Sequence, residues 1–210
     1  MIHWRSMRSA LAAALAACLL LAPEALARPA RAPGPPEHPR VRLETERGAI
    51  ELELDRVRAP LTTANFLRYV EAGRYDGGRF HRTVRADNQP ADRVRIAVVQ
   101  AGVAPAKESE DFPPIPLERT RDTGLHHREG TLSMARAGPD TATSDFFICI
   151  GDEPELDSGG RRNPDGQGFA AFGRVVSGMD VVRRIHAAPA KDQALDPPVR
   201  ILRARRMGTR

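Results

Sequence analysis

Apolar and polar residues alternate at Val41, Leu43, Ile50, Leu52 and Leu54, with Glu46-Arg47-Gly48 between the two runs, which is the pattern of a β-hairpin over 41–54. The period then changes. Pro60 suits the first turn of a helix, Leu61, Ala64, Leu67 and Val70 recur at helical spacing, and Gly73 supplies a stop, so a helix is expected over 60–72. Asp76-Gly77-Gly78 reads as a turn into a short strand at 80–84, and further strands are expected at 94–100, 131–135, 146–150, 169–172 and 199–205. A second helix, opened by Gly178 and ended before Pro189, is expected over 179–186. Many short strands, two helices and Gly- and Pro-rich links make a mostly β domain, barrel or sandwich, and no internal repeat is visible. The connections 103–129 and 151–168 are long and rich in Pro, Gly and charge, and loops of that length in a compact domain usually carry function.

Ahead of this domain the pattern is different. The run Ala10 to Ala22 is thirteen residues long, short of the roughly 18–20 that a permanent membrane span needs. It follows Arg5 and Arg8 and leads to Ala25-Leu26-Ala27, the order of a secretory signal peptide over 1–27 cleaved after Ala27. The competing reading is Leu15-Ala16-Ala17-Cys18, which resembles a lipoprotein box with Cys18 lipidated; Leu19-Leu20-Leu21 directly behind it speaks against this. Residues 28–40 hold five prolines and read as a semi-extended tether, which leaves 41–207 as the folded domain.

Export changes what the composition means. The 210 residues carry a net charge of +5, one tryptophan and two cysteines, but Trp4 and Cys18 fall in the leader, so cleavage leaves Cys149 alone and no internal disulfide. The charge comes from 30 arginines and only two lysines, Lys107 and Lys191. Arginine spread so evenly reads as a solvated surface and argues against nucleic acid as a partner.

The usual catalytic motifs are missing from the chain: there is no Gly-x-Ser-x-Gly, no His-Glu-x-x-His and no phosphate loop. His126 and His127 are neighbours rather than one helical turn apart, so their rings are expected to point apart on an exposed loop instead of gripping a metal. Cys149, between Ile148 and Ile150, reads as a core thiol. Hydrolytic and metal chemistry both lose support.

What remains is an ordered series of blocks: Phe80-His81-Arg82, then Val98-Val99-Gln100-Ala101-Gly102, Gly130-Thr131-Leu132-Ser133-Met134-Ala135, Ser144-Asp145-Phe146-Phe147-Ile148 and Phe169-Ala170-Ala171-Phe172-Gly173. With Asn65-Phe66 and Tyr69 on the first helix, Ala137-Gly138-Pro139, Leu156-Asp157 and Gly178-Met179-Asp180 before the second, the chain resembles the cyclophilin family of peptidyl-prolyl cis-trans isomerases from Val41 to about Met207. The resemblance implies a closed eight-stranded antiparallel β-barrel capped by two α-helices, acting on proline-containing segments of unfolded or folding proteins. It implies Arg82 as the catalytic cation, Phe147 as the floor of a proline pocket and Gln100 as the amide that orients Arg82 or the substrate. Ala135 would give a backbone contact, and Val98, Leu156 and Phe169 would line the pocket. No cofactor or metal is called for, because rotation about an X-Pro bond needs only weaker donation of the nitrogen lone pair into the carbonyl.

The departures shape the remaining expectations. Ala97 and Val98 stand where many cyclophilins have Phe-Met, Glu155 where some have tryptophan, and Phe169 where many have histidine or tyrosine; Arg136 and Asp145 each replace a neutral amide. Arg136 and Asp145, both placed beside substrate, are expected to pair with each other, or Asp145 to hold Arg82 directly. The reading is an exported, periplasmic, monomeric isomerase, bound to a membrane only if Cys18 is lipidated. Its rival is a proline-peptide-binding module or chaperone on the same fold with little catalysis.

Overall fold

The computed structural model describes residues 37–208; the expected leader with Trp4 and Cys18, and the tether as far as Pro36, lie outside the described residues. Nine antiparallel strands form one sheet: β1 (Arg40–Thr45), β2 (Gly48–Leu54), β3 (Arg79–Val84), β4 (Val98–Gly102), β5 (Thr131–Met134), β6 (Phe146–Cys149), β7 (Ala170–Ser177), β8 (Ala190–Lys191) and β9 (Ala194–Arg206). Their order is β1-β2-β7-β5-β6-β4-β3-β9-β8, and β1 also pairs with β9, so eight strands close into a barrel while β8 folds back on β9 as a short flap. Closure leaves the barrel without an open edge.

Two helices pack on the barrel: α1 (Pro60–Glu71) against β7 and β9, and α3 (Met179–His186) against β2, β3 and β4; a single turn, α2 (Thr120–Thr123), lies in the first long connection. Gly178 starts α3 at φ 86°, and a side chain there would run into the Ala49 carbonyl, so glycine is required on both counts. The helix bounds agree with the apolar spacing, but the buried face of α1 does not. Leu67 and Val70 are buried as the spacing expects, but Leu61 and Ala64 are exposed, and Thr62, Thr63, Asn65, Phe66 and Tyr69 are buried instead. Distant partners account for the rotation. The Glu118 carboxylate accepts from the Leu61 and Thr62 amides and the Thr62 hydroxyl, and Asn65 donates to the Thr143 carbonyl at 2.6 Å, so polar groups on the buried face are satisfied.

Strand ends also move from the sequence pattern. β4 begins at Val98 rather than 94, because the Gln89 side chain takes both backbone groups of Ile96, and Glu153 accepts from the Ala97 amide. β7 starts after Phe169 and runs on to Ser177, and β9 starts at Ala194. At the front, the Glu37 and Pro39 carbonyls accept from Arg56 and Leu54, so the last residues of the expected tether already pair with the barrel.

The interior is filled by an aromatic cluster in which the Phe66 ring lies 5.2 Å from Tyr75, 5.2 Å from Phe146 and 5.3 Å from Phe172. Val84, Ile96, Val98, Phe147, Cys149 and Leu156 form a second buried cluster, separate from the first. Cys149 is buried and has no disulfide partner among the described residues, and burial pushes its thiol pKa well up, which makes it a core group. Phe66→Ala should cost about 3–5 kcal/mol of stability, read as a lower urea midpoint by circular dichroism.

Candidate functional site

Strand alternation sends successive side chains to opposite faces. In β4, Val99 and Ala101 enter the barrel core while Val98 and Gln100 face out; in β6, Phe146 and Ile148 enter while Phe147 and Cys149 face out. The register pairs Gln100 with Phe147 and Val98 with Cys149, so the outward residues meet side by side. In β3 an even spacing would send Phe80, Arg82 and Val84 to one face, yet Phe80 belongs to the barrel core and Val84 to the second cluster. The register breaks between Phe80 and Arg82 toward both β4 and β9. This bulge turns Arg82 outward, beside Gln100.

Of the residues singled out along the sequence, Arg82, Val98, Gln100, Ala135, Arg136, Phe147, Leu156 and Phe169 line one cavity of about 280 Å³. Asp145 does not line it. Ile96, Arg162 and Asn163 also do, and sequence reasoning missed them. Phe147 forms an apolar surface that meets Phe169 edge-on at 5.2 Å and 86°, and Leu156 closes the side. A cavity of about 540 Å³ elsewhere is larger, but its charged groups are already matched, Arg174 with Glu53 and Arg58 with Asp55, each at 2.7 Å. The smaller cavity is lined by the Phe147 and Phe169 rings and by Leu156.

Arg82 is held by two neutral oxygens. Its Nε and one terminal nitrogen donate to Gln193 Oε1 at 2.9 and 2.6 Å, and the other terminal nitrogen donates to Gln100 Oε1 at 3.0 Å. An arginine has five N–H donors, so two have no partner among the described residues. Burial, then the charge of Arg162, lowers the Arg82 pKa from its ordinary value. Gln193, in the turn between β8 and β9, was not anticipated; it lies 111 residues from Arg82, and no local motif marks it.

The expected pairing of Arg136 with Asp145 does not occur. Arg136 instead makes a two-pronged contact with Asp165 at 2.7 and 2.9 Å, donates to the Gly168 carbonyl, and lies 5.3 Å over the Phe169 ring. Nor does Asp145 hold Arg82 directly: its Oδ2 accepts from Gln100 Nε2 at 2.8 Å and sits 3.4 Å from His81 Nε2. In both cases the loop 157–168 or a bridging amide supplies the partner.

The two adjacent histidines also depart from expectation. Both rings reach one carboxylate, His126 Nδ1 at 2.9 Å and His127 Nδ1 at 2.6 Å from Asp157. His127 is buried, stacks on the Phe147 ring at 5.9 Å and 16°, and its Nε2 is 2.9 Å from Ser133 Oγ. Asp157, His127 and Ser133 thus follow the order of a hydrolytic triad. Ser133 is fully buried, so no substrate carbonyl can reach it, and the arrangement instead ties the pocket floor to its wall.

A family model described as cyclophilin type peptidyl-prolyl cis-trans isomerase/CLD matches residues 40–206. The chain is 38% identical over 146 residues to peptidyl-prolyl cis-trans isomerase A of Dickeya dadantii, covering 69% of this chain and 70% of that protein. It is 37% identical to a peptidyl-prolyl cis-trans isomerase of Streptomyces antibioticus, covering 69% and 81% respectively. A solved cyclophilin type isomerase of Cryptosporidium parvum superposes with a TM-score of 0.66 at 22% identity, covering 82% of this chain and 99% of that one, which is a likeness of fold.

Burial opposes ionisation of Asp157, but the hydrogen bonds from His127 and His126 outweigh it and hold the carboxyl below its ordinary pKa. The folded state therefore favours the ionised form more than the unfolded chain does, and this stabilisation is present at neutral pH and lost as pH falls through the carboxylate range. Asp157→Asn should lose about 1–3 kcal/mol at neutral pH, with the gap to the parent closing in urea titrations repeated at acid pH.

Proposed function

This chain belongs to the cyclophilin-type peptidyl-prolyl cis-trans isomerases, enzymes that accelerate rotation about X-Pro bonds, and we propose that Arg82 is the group that acts on the proline nitrogen. The observation that carries this is a guanidinium fixed by two neutral oxygens at the edge of a pocket floored by Phe147, with two donors unspent among the described residues. A planar amide nitrogen offers little lone pair to a donor; the twisted transition state, with its pyramidal nitrogen, offers much more. Donors aimed at that nitrogen bind the transition state more tightly than the ground state, and each 1.36 kcal/mol of the difference is worth about tenfold in rate.

The other roles follow from position. Phe147 carries the proline ring, with Val98, Leu156 and Phe169 as walls, so the ring is held while the bond before it turns. Ala135 borders the cavity at the end of β5, where its backbone can meet the residue before proline. Arg136 acts through Phe169, whose face it covers, since its charge is already taken up by Asp165. Gln100 and Gln193 aim Arg82 without neutralising it.

The clients are proline-containing segments of proteins folding after export, in the periplasm. Support comes from the order Arg5, Arg8, apolar run and Ala25-Leu26-Ala27. Cleavage after Ala27 predicts a chain starting at Arg28, whereas lipidation predicts one starting at acylated Cys18, and the mass of the N-terminal peptide from exported protein separates the two.

Arg82→Ala should lower kcat/KM on the order of 10²-fold, the usual cost of deleting a donor aimed at a transition state. The measurement is a protease-coupled or NMR exchange assay on an X-Pro peptide. An unchanged rate would overturn the role of Arg82.

A further inference from the structure

We propose that Asp145 is a positioning residue whose carboxylate fixes which way round the Gln100 amide sits and, through it, the aim of Arg82. The proposal rests on the reading of Arg82 as the acting cation.

The chemistry of the three groups dictates the arrangement. A glutamine amide has two ends of nearly the same shape and opposite hydrogen-bonding character. Turned over, Gln100 would set its NH2 group against the guanidinium, donor against donor, and Arg82 would lose the contact at 3.0 Å. A carboxylate only accepts, so Asp145, 2.8 Å from Gln100 Nε2, permits one orientation alone. Gln193 is oriented in the same way, since its Nε2 donates to the Asn88 carbonyl, another group that only accepts. Each amide that touches Arg82 is thus pinned from behind by an acceptor.

The backbone makes room for this contact. Gly102 lies two residues beyond Gln100 on the same face of β4, and a side chain at Gly102 would run into the Asp145 carboxylate. Only glycine there lets Asp145 lie across the strand and reach Gln100. The groups that face the carboxylate are Gln100 and His81 on the attracting side and Glu108 and Asp111 on the repelling side, with the buried Tyr75 close by. Burial above all, with Glu108 and Asp111 adding to it, makes the carboxyl harder to ionise in the folded protein than in the unfolded chain. At neutral pH its ionised form therefore opposes folding, and it stands at a site where a neutral group would be less costly. That sign separates a positioning role from a structural one.

The test is Asp145→Asn in the intact protein, with Arg82→Ala assayed beside it. The isosteric amide at position 145 can accept or donate, so Gln100 loses its fixed direction, and kcat should fall about 3- to 10-fold with KM little changed. The melting temperature at neutral pH should stay level or rise. In the parent, activity should fall as pH drops through the raised pKa of Asp145, with the NMR signal of the Arg82 Nε–H moving at the same midpoint; both responses should vanish in Asp145→Asn. A fully active Asp145→Asn beside a crippled Arg82→Ala would overturn the positioning role and leave Arg82 standing. If both variants were fully active, the Arg82 reading would fail first. Parallel loss of activity and stability in Asp145→Asn would make the residue structural and overturn the proposal. His81→Gln completes the set: loss of the acid limb there, with its survival in Asp145→Asn, would assign the titration to His81 and sink the coupling.

Discussion

The interior of this closed barrel is filled by its own side chains, so anything it binds must meet an outer face. That constraint governs the rest of this molecule. The strands β4 and β6 bury both of their faces: Phe146, Ile148, Val99 and Ala101 go inward, and Phe147, Cys149 and Val98 go outward into a second apolar cluster. An outward apolar cluster has to be covered, and the connection between β6 and β7 does this by bringing in Leu156 and Phe169. Its cover is incomplete, and the gap is the pocket. The Arg82 cation lies on the same outer face, where alternation along β3 would not put it. The bulge between Phe80 and Arg82 supplies the odd step, and so a single irregularity of the ladder converts a barrel wall into a site.

Electrostatics then distinguish one arginine from its neighbours. Three arginines line the pocket. Arg136 contacts Asp165 at 2.7 Å and Arg162 contacts Asp92 at 3.1 Å, so both carry their counter-charge with them. Arg82 has no carboxylate in contact among the described residues; it is oriented by the amide oxygens of Gln100 and Gln193. A carboxylate would fix the guanidinium equally well but would compete for its donors and cancel its field. Neutral acceptors keep both available, and the cost appears as a lowered Arg82 pKa, set first by burial and then by Arg162.

Much of this was legible along the chain because period-two and period-3.6 patterns are local. The hairpin, the short central strands and α3 follow from spacing alone, and the order of the blocks around Arg82, Gln100, Ala135, Phe147 and Phe169 indicated which residues would meet. The failures share a cause. The buried face of α1 turns on Glu118, 56 and 57 residues from the amides it accepts; Arg136 turns on Asp165, and Arg82 on Gln193, 111 residues away. Adjacent His126 and His127 looked like an exposed pair because nothing nearby in sequence shows Asp157 arriving between them. A polar partner contributed by a distant loop leaves no periodic trace, so the scaffold is readable and the hydrogen-bond wiring of the site is not.

That wiring has a mechanical consequence at His127. The ring lies flat against Phe147, its Nδ1 reaches Asp157 and its Nε2 reaches Ser133, so one buried imidazole touches the floor of the pocket, the loop that carries Leu156 and the strand that leads to Ala135. Floor, wall and strand are therefore joined through one side chain. In the proposed mechanism such a linkage keeps the proline ring fixed while the preceding carbonyl rotates. Asp157 secures the imidazole from behind, much as Asp145 secures Gln100, and in both places a carboxylate kept away from the guanidinium orders the group in contact with the site. Negative charge sits one contact back from the pocket, where it can orient its partners without competing for the Arg82 donors.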